Sequence, residues 1–276
     1  MTFGLACRVA MAVLSMVAPA FAQEDIGFKP IPSRDIVVPS HTDGQVDELL
    51  SMLDSLLARE KDTTKTPWAT ASGIHFWRFY NRLVQGTLTP AQESRILAHF
   101  NRLAEKRPEH AAVFRKQQDA VRLRTVGKTA PEIVGKDLDG VEFKLSDYRG
   151  KVIVLAFSGD WCGPCRSEYP YQRLLLEVYK DQPFTILSVN SDTLEVAKRA
   201  KVEKKLDYRS WWDGHAKKAT EGPIAEAWDI TGWPTIYVLD HKGTIRFVNL
   251  RAEDVIKAVK QLMREVPKPT TPPSQK

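Results

Sequence analysis

Asp160-Trp161-Cys162-Gly163-Pro164-Cys165-Arg166 is the stretch around which everything beyond residue 126 arranges itself. Two cysteines separated by two residues can close a small disulfide or contribute to a metal site. Upstream, Lys151-Val152-Ile153-Val154-Leu155-Ala156-Phe157 is an apolar run of the kind that forms a buried central strand. Downstream, Glu168 to Tyr179 places Leu174, Leu175, Val178 and Tyr179 at helical spacing. Strand, tight turn and helix in that order put Cys162 at a helix N-terminus. Unpaired N–H groups and the helix dipole there favour a thiolate over a thiol. That is the chemistry of a disulfide-exchange nucleophile. A structural zinc site wants four ligands, and no second Cys-x-x-Cys or paired His/Cys is present.

Working outward, Glu132–Leu138 and Val141–Leu145 flank Asp139-Gly140, a hairpin with a tight turn. Beyond the cysteines the pattern alternates. Phe184–Val189 is a second buried strand, Thr193–Lys205 a helix and Tyr208–Trp212 a short strand. A polar loop over 213–222 precedes a short helix at Ile224–Trp228. Thr235–Leu239 and Thr244–Val248 form another hairpin, and Glu253–Glu265 an amphipathic helix on Val255, Ile256, Val259 and Leu262. Pro267 to Lys276 holds four prolines and is expected to be a disordered tail, covering 266–276.

Ahead of residue 126 the pattern is helical. Thr42 or Asp43 caps a helix to about Glu60, with Val46, Leu49, Leu50, Leu53, Leu56 and Leu57 on one stripe. A second helix is expected over Ala71–Gln85, ended by Gly86, with His75, Phe76, Trp77, Phe79 and Tyr80 as an aromatic cluster suited to packing. Thr89-Pro90-Ala91-Gln92 is a capping box that opens a third helix burying Ile96, Leu97, Phe100 and Leu103. Pro108 opens a fourth, to about Arg122. His99 and His110 lack a second ligand at metal spacing and read as surface or capping histidines. Arg115, Lys116, Arg122 and Arg124 read as a solvated basic face.

The first 22 residues have the form of a secretory signal peptide. Arg8 ends a short n-region, Val9–Val17 is apolar, and Ala20-Phe21-Ala22 is a small-x-small cleavage site. The apolar run is shorter than the roughly 20 residues of a membrane span, so an uncleaved anchor is the lesser alternative. Residues 23–42, with Pro30, Pro32 and Pro39, read as a linker. Cleavage would discard Cys7 and leave Cys162 and Cys165 in an exported, oxidising compartment. As a staple the pair would be poorly placed, since so short a loop gains only roughly 2 kcal/mol against about 4.7 for a 100-residue loop. A formal charge of +6 without any Lys/Arg block argues against nucleic acid as a partner.

Trp-Cys-Gly-Pro-Cys after the central strand, together with Gly232-Trp233-Pro234-Thr235 before a later one, resembles the thioredoxin superfamily. The lead-in Leu145-Ser146-Asp147-Tyr148-Arg149-Gly150-Lys151 is similar to the TlpA/ResA-type exported thiol–disulfide oxidoreductases, and to peroxiredoxins. The resemblance covers about 126–265 and implies an α/β thioredoxin-like domain, a central mixed sheet flanked by helices, behind an all-α accessory region at 43–124. It implies that Cys162 is the exposed attacking cysteine and Cys165 the resolving one, with no cofactor beyond their redox-active disulfide. Gly163-Pro164 is typical of reducing members, and Pro170 falls where relatives kink the helix. Pro234 matches the cis-proline that faces the cysteines, so Trp233 should line the substrate groove and Trp161 its rim.

One departure matters. The buried aspartate that thioredoxin keeps six residues before the first cysteine is here Ala156. Glu168, three residues after Cys165 and on the same helix face, resembles the glutamate that ResA-type proteins place there. A partly buried carboxyl with a raised pKa could carry the Cys165 proton. The candidate catalytic set is therefore Cys162, Cys165 and Glu168; the substrate-facing set is Trp161, Gly163, Pro164, Trp233 and Pro234. Partners implied are protein thiols or disulfides and a membrane thiol-electron donor. Two other readings remain: a thiol peroxidase, which wants threonine where Gly159 stands, and a non-catalytic assembly module docking through the helical region.

Overall fold

The computed structural model describes residues 35–59, 81–214 and 222–267. Its centre is a five-stranded mixed sheet in the order β5-β4-β3-β6-β7. The strands are β3 (Val152–Ser158), β4 (Phe184–Asn190), β5 (Arg209–Trp212), β6 (Thr235–Leu239) and β7 (Ile245–Val248), after a hairpin of β1 (Val134–Lys136) and β2 (Glu142–Lys144). β3, β4 and β5 run parallel, while β6 is antiparallel to β3 and to β7. The helices are α1 (Asp43–Arg59), α2 (Pro90–Lys106), α3 (Ala111–Leu123), α4 (Gly163–Val178), α5 (Leu194–Glu203), α6 (Pro223–Ala227) and α7 (Glu253–Met263). The α/β class and the helical region expected from the sequence are both present.

Every residue of β3 is buried, which is why its sequence is continuously apolar rather than alternating. Its side chains divide between two cores. Ile153, Leu155 and Phe157 join Leu187, Val189, Trp211, Trp228 and Tyr237 on one face. Val152, Val154 and Ala156 join Tyr169 and Leu175 of α4 and Val255 and Val259 of α7 on the other. The first core is closed by the β1–β2 hairpin, where Phe143 stacks on Trp211 with centroids 4.1 Å apart. Those hairpin strands are shorter than the patterned runs. The Asp137 carboxylate accepts the N–H groups of Asp139 and Val141, diverting the chain into its turn early.

The helical region has its own core of Val46, Leu49, Leu53, Leu57, Leu83, Ile96, Phe100, Phe114 and Val121. The Thr89 capping box forms as the sequence implies. The aromatic cluster at 75–80 lies outside the described residues, as do the signal peptide and nearly all of the tail. The last part of the segment expected to be a linker is packed. Ile36 N–H donates to Gln261 of α7 at 3.1 Å, and Val38 touches both cores.

Four side chains differ from expectation. His99 and His110 are buried, not superficial. His99 sits on the same helical stripe as Ile96 and Phe100, and its ring bridges Asp54 of α1 at 2.9 Å and Arg102 at 3.1 Å. Arg124 leaves the basic face and is buried against α6, donating to the Ala227 carbonyl at 3.3 Å. Val178, the last residue of α4, is 45 % exposed. Replacing Leu155 by alanine should therefore cost about 2–5 kcal/mol of unfolding free energy. Val178→Ala should stay within about 0.5 kcal/mol, both read from urea unfolding of the full chain.

Candidate functional site

β3 ends at Ser158, and the chain turns through 159–162 into α4. Cys162 is the N-cap of that helix, and its Sγ accepts the Cys165 backbone N–H at 3.2 Å. The two sulfurs form a disulfide with Cα atoms 5.2 Å apart. The expectation of an exposed Cys162 is corrected. Only 4 % of the residue reaches solvent, against none of Cys165, because the sulfur is turned inward as helix cap and disulfide partner. Around it, Trp161, Gly163 and Pro164 are exposed. α4 continues through Pro170, which merely withholds the N–H that would bond the Arg166 carbonyl.

Trp161 is held on two sides. Its ring meets that of Trp233 edge-on at 5.9 Å, and its indole N–H donates to Ser191 Oγ at 3.0 Å. The Trp233–Pro234 peptide is cis, and Pro234 is buried beside β6. Trp161 and Trp233 thus meet in one aromatic contact next to the disulfide. Gly159 lies beneath Trp161, where an added Cβ would fall 2.5 Å from the indole nitrogen and 2.9 Å from Ser191 Oγ.

Asp192, after β4, was not singled out from the sequence. It is buried, and its two carboxylate oxygens accept the Asp160 N–H at 3.0 and 2.8 Å. A longer contact of 3.4 Å reaches the Trp161 N–H. The Trp212 indole in turn donates to the Asp192 carbonyl at 3.0 Å. The available signal was position: polar residues directly after a parallel strand line the carboxyl edge of the sheet, where α/β folds bind their ligands. Tyr169 of α4 points its hydroxyl at Asp160 at 3.4 Å. Burial, reinforced by the Asp160 and Asp192 charges, pushes its phenol well above the ordinary range.

Glu168 is 6 % exposed on α4, one turn beyond Cys165. Burial raises its carboxyl above the usual glutamate range, opposed by the Ala252 N–H and the Arg251 charge. The N–H of Ala252 donates to Glu168 Oε2 at 2.9 Å. Arg251, also absent from the sequence reading, donates to the Pro234 carbonyl. No periodicity or motif marks a residue in the connection from β7 to α7, so only the folded chain reveals it. Among the described residues no cluster of His, Cys, Asp or Glu could hold a metal ion. The arrangement can perform two-electron exchange at sulfur, with a carboxyl of raised proton affinity near the inner cysteine.

Comparison with known proteins agrees with this chemistry. The AhpC/TSA family model matches residues 126–248. The thiol-disulfide oxidoreductase ResA of Geobacillus kaustophilus is 35 % identical over 122 residues, covering 44 % of this chain and 67 % of that protein. ResA of Geobacillus thermodenitrificans is 36 % identical over 126 residues, with the same shares. Among solved structures, the thioredoxin domain of a thiol-disulfide oxidoreductase from Bacteroides vulgatus superposes with a TM-score of 0.44 at 30 % identity, covering 52 % of this chain and 99 % of that one. The helical region at 43–124 lies outside the family match. From residue 126 onward, the chain belongs to the TlpA/ResA-like thiol–disulfide oxidoreductases of the thioredoxin superfamily.

Proposed function

We propose that this enzyme is an exported reductase of protein disulfides that cycles Cys162 and Cys165 between disulfide and dithiol. In the reduced protein, the Cys162 thiolate attacks one sulfur of the substrate disulfide and expels the other as thiolate. Cys165 then gives its proton to Glu168 and attacks Cys162 Sγ. This frees the second substrate sulfur, which takes up a proton, and restores the Cys162–Cys165 disulfide. Two electrons have passed to the substrate. Trp161, Gly163, Pro164, Trp233 and Pro234 form the surface on which the substrate strand lies. A membrane thiol-electron carrier returns the enzyme to its dithiol form. Among the described residues no helix is long and apolar enough to cross a membrane.

The observation that carries the reducing direction is the charge around Cys162. Strong oxidants of this type draw their potential from a stabilised reduced form. Here one backbone N–H faces the Cys162 sulfur, while Asp192 directs both carboxylate oxygens at the backbone just upstream. That negative charge offsets part of the helix start's preference for a thiolate and so favours handing electrons on. The peroxidase alternative is disfavoured by packing at Gly159. The place a threonine side chain would occupy is filled by the Trp161 indole and Ser191.

A redox titration in defined thiol/disulfide buffers should give a two-electron transition near or below about −270 mV, in thioredoxin's range. A value near about −120 mV, where strong oxidants lie, would reverse the direction. Asp192→Asn should move the potential upward. Cys165→Ser should accumulate mixed disulfides through Cys162, visible by non-reducing electrophoresis and mass spectrometry.

Glu168→Gln keeps an acceptor for the Ala252 N–H but removes the acid. Exchange should slow by about 100-fold, the lower end of general acid–base contributions. It should also alter stability against pH. The native Glu168 carboxyl keeps its proton to higher pH than an unfolded glutamate does. Its contribution is therefore complete below the unfolded value of about 4.3 and is lost as pH rises through the native value. Urea midpoints should fall over that interval in the wild type and fall less in Glu168→Gln. The share from Asp213, whose carboxyl burial also raises, remains.

A further inference from the structure

The cysteine helix and the cis-proline turn lie on different segments, yet a short run of contacts joins them. Glu168 Oε2 accepts the Ala252 N–H at 2.9 Å. Arg251, the preceding residue, donates from one guanidinium nitrogen to the Leu250 carbonyl at 2.8 Å and from the other to the Pro234 carbonyl. We propose that Arg251 is a positioning residue: it ties the Cys165-bearing helix to the Trp233–Pro234 turn, so that Glu168 and the Pro234 carbonyl are held in one fixed relation.

Three observations converge on this residue. First, the backbone carrying it is shaped for the task at a cost. Asn249 and Ala252 have φ of +59° and +51°, a region that L residues seldom occupy. The strained Ala252 is the residue whose N–H Glu168 holds. Second, Arg251 and Glu168 act on each other electrically. Burial lowers the Arg251 pKa and the Glu168 charge opposes that; burial raises Glu168 and the Arg251 charge opposes that. Arg251 is the charged side chain that acts on Glu168, from the β7–α7 connection, while α4 carries Cys165 and the turn before β6 the Pro234 carbonyl. Third, the Pro234 carbonyl lies in the peptide directly after the cis bond, so a donor fixed on it holds the proline that the cis bond joins to Trp233. An arginine fits because a planar fork with several donors can serve two carbonyls at once.

The test uses the full chain with Arg251→Met and Arg251→Lys. Its first readout is the Glu168 carboxyl titration, followed by carbon-13 NMR in the disulfide form, with Glu168→Gln supplying the assignment. Its second is the KM for reduction of insulin, a protein disulfide, beside that for glutathione disulfide. Arg251→Met should move the Glu168 midpoint upward and raise the insulin KM by about tenfold, the scale of losing one hydrogen bond from a charged donor. The glutathione KM should hardly change, since that probe needs little of the groove. Arg251→Lys keeps the charge and loses the fork, so the Glu168 midpoint should stay near wild type while the insulin KM rises.

An unmoved Glu168 midpoint in Arg251→Met, or equal effects on insulin and glutathione, would overturn the proposal. If Arg251→Met does not fold by circular dichroism, the lysine variant decides: a raised insulin KM supports the proposal and an unchanged one refutes it. The KM arm rests on the reductase reading, but the carboxyl titration does not. Wild-type protein that turns over neither disulfide would defeat that reading while the titration still decides on Arg251.

Discussion

A strand buried on both faces must have its polar business done at its ends, and β3 imposes that condition on the whole molecule. All seven of its residues are enclosed, three apolar side chains facing each core. The helices α4 and α7 cover one face, and the hairpin, α6 and Val84 of the helical region cover the other. A charged group along such a strand would carry a desolvation cost. The disulfide lies at the turn after Ser158, where the Cys162 sulfur takes the Cys165 N–H freed by the start of α4. Ala156 in mid-strand is consistent with this constraint. The buried carboxyl near the cysteines is instead Glu168 on the helix, where the Ala252 N–H is within reach.

That turn is not self-supporting. The segment from Gly159 to Trp161 has a glycine where no side chain fits and an indole standing above it. Asp192 supplies the missing structure by accepting the backbone N–H groups of Asp160 and Trp161. Its own carbonyl is engaged by Trp212 from the edge strand β5. One buried residue therefore links three strand ends: its carboxylate holds the turn after β3, its position ends β4, and its backbone carbonyl accepts the indole from β5.

Much of this was legible in the chain. The apolar run at 151–157, the spacing of Cys162 and Cys165 and the later Trp233-Pro234 fixed the sheet's centre and its reactive end, because each is a local pattern with one economical folded solution. Element boundaries shifted by a few residues where a side chain intervened, as Asp137 did in the hairpin. What local patterns cannot encode is partnership across the fold. His99 looked superficial as a lone histidine, but its position on the Ile96–Phe100 stripe turns it toward Asp54. Arg124 looked like one charge in a solvated run, yet its partner is a carbonyl about a hundred residues away. Asp192 and Arg251 escaped for the same reason.

The helical region gains a meaning from where its contacts fall. On one side, Gln117 of α3 donates to Asp229 at 2.9 Å and Arg124 to Ala227 at 3.3 Å. Both acceptors lie just ahead of the Gly232-Trp233-Pro234 turn. On the other side, Asn81 pairs with Asn249, at the start of the connection that carries Arg251 and Ala252. Val84 joins the sheet's own core, in the same cluster as Trp228 and Ile230. The two segments that shape the cis-proline side of the site are thus gripped from outside by one body with its own hydrophobic core. A polar contact at a domain seam contributes modestly by itself. Three such contacts, with Val84 in the sheet's core, tie both segments to the same helical region. The accessory helices thus contact the two segments that flank the Trp233–Pro234 turn, and an isolated 126–265 unit would lack those contacts.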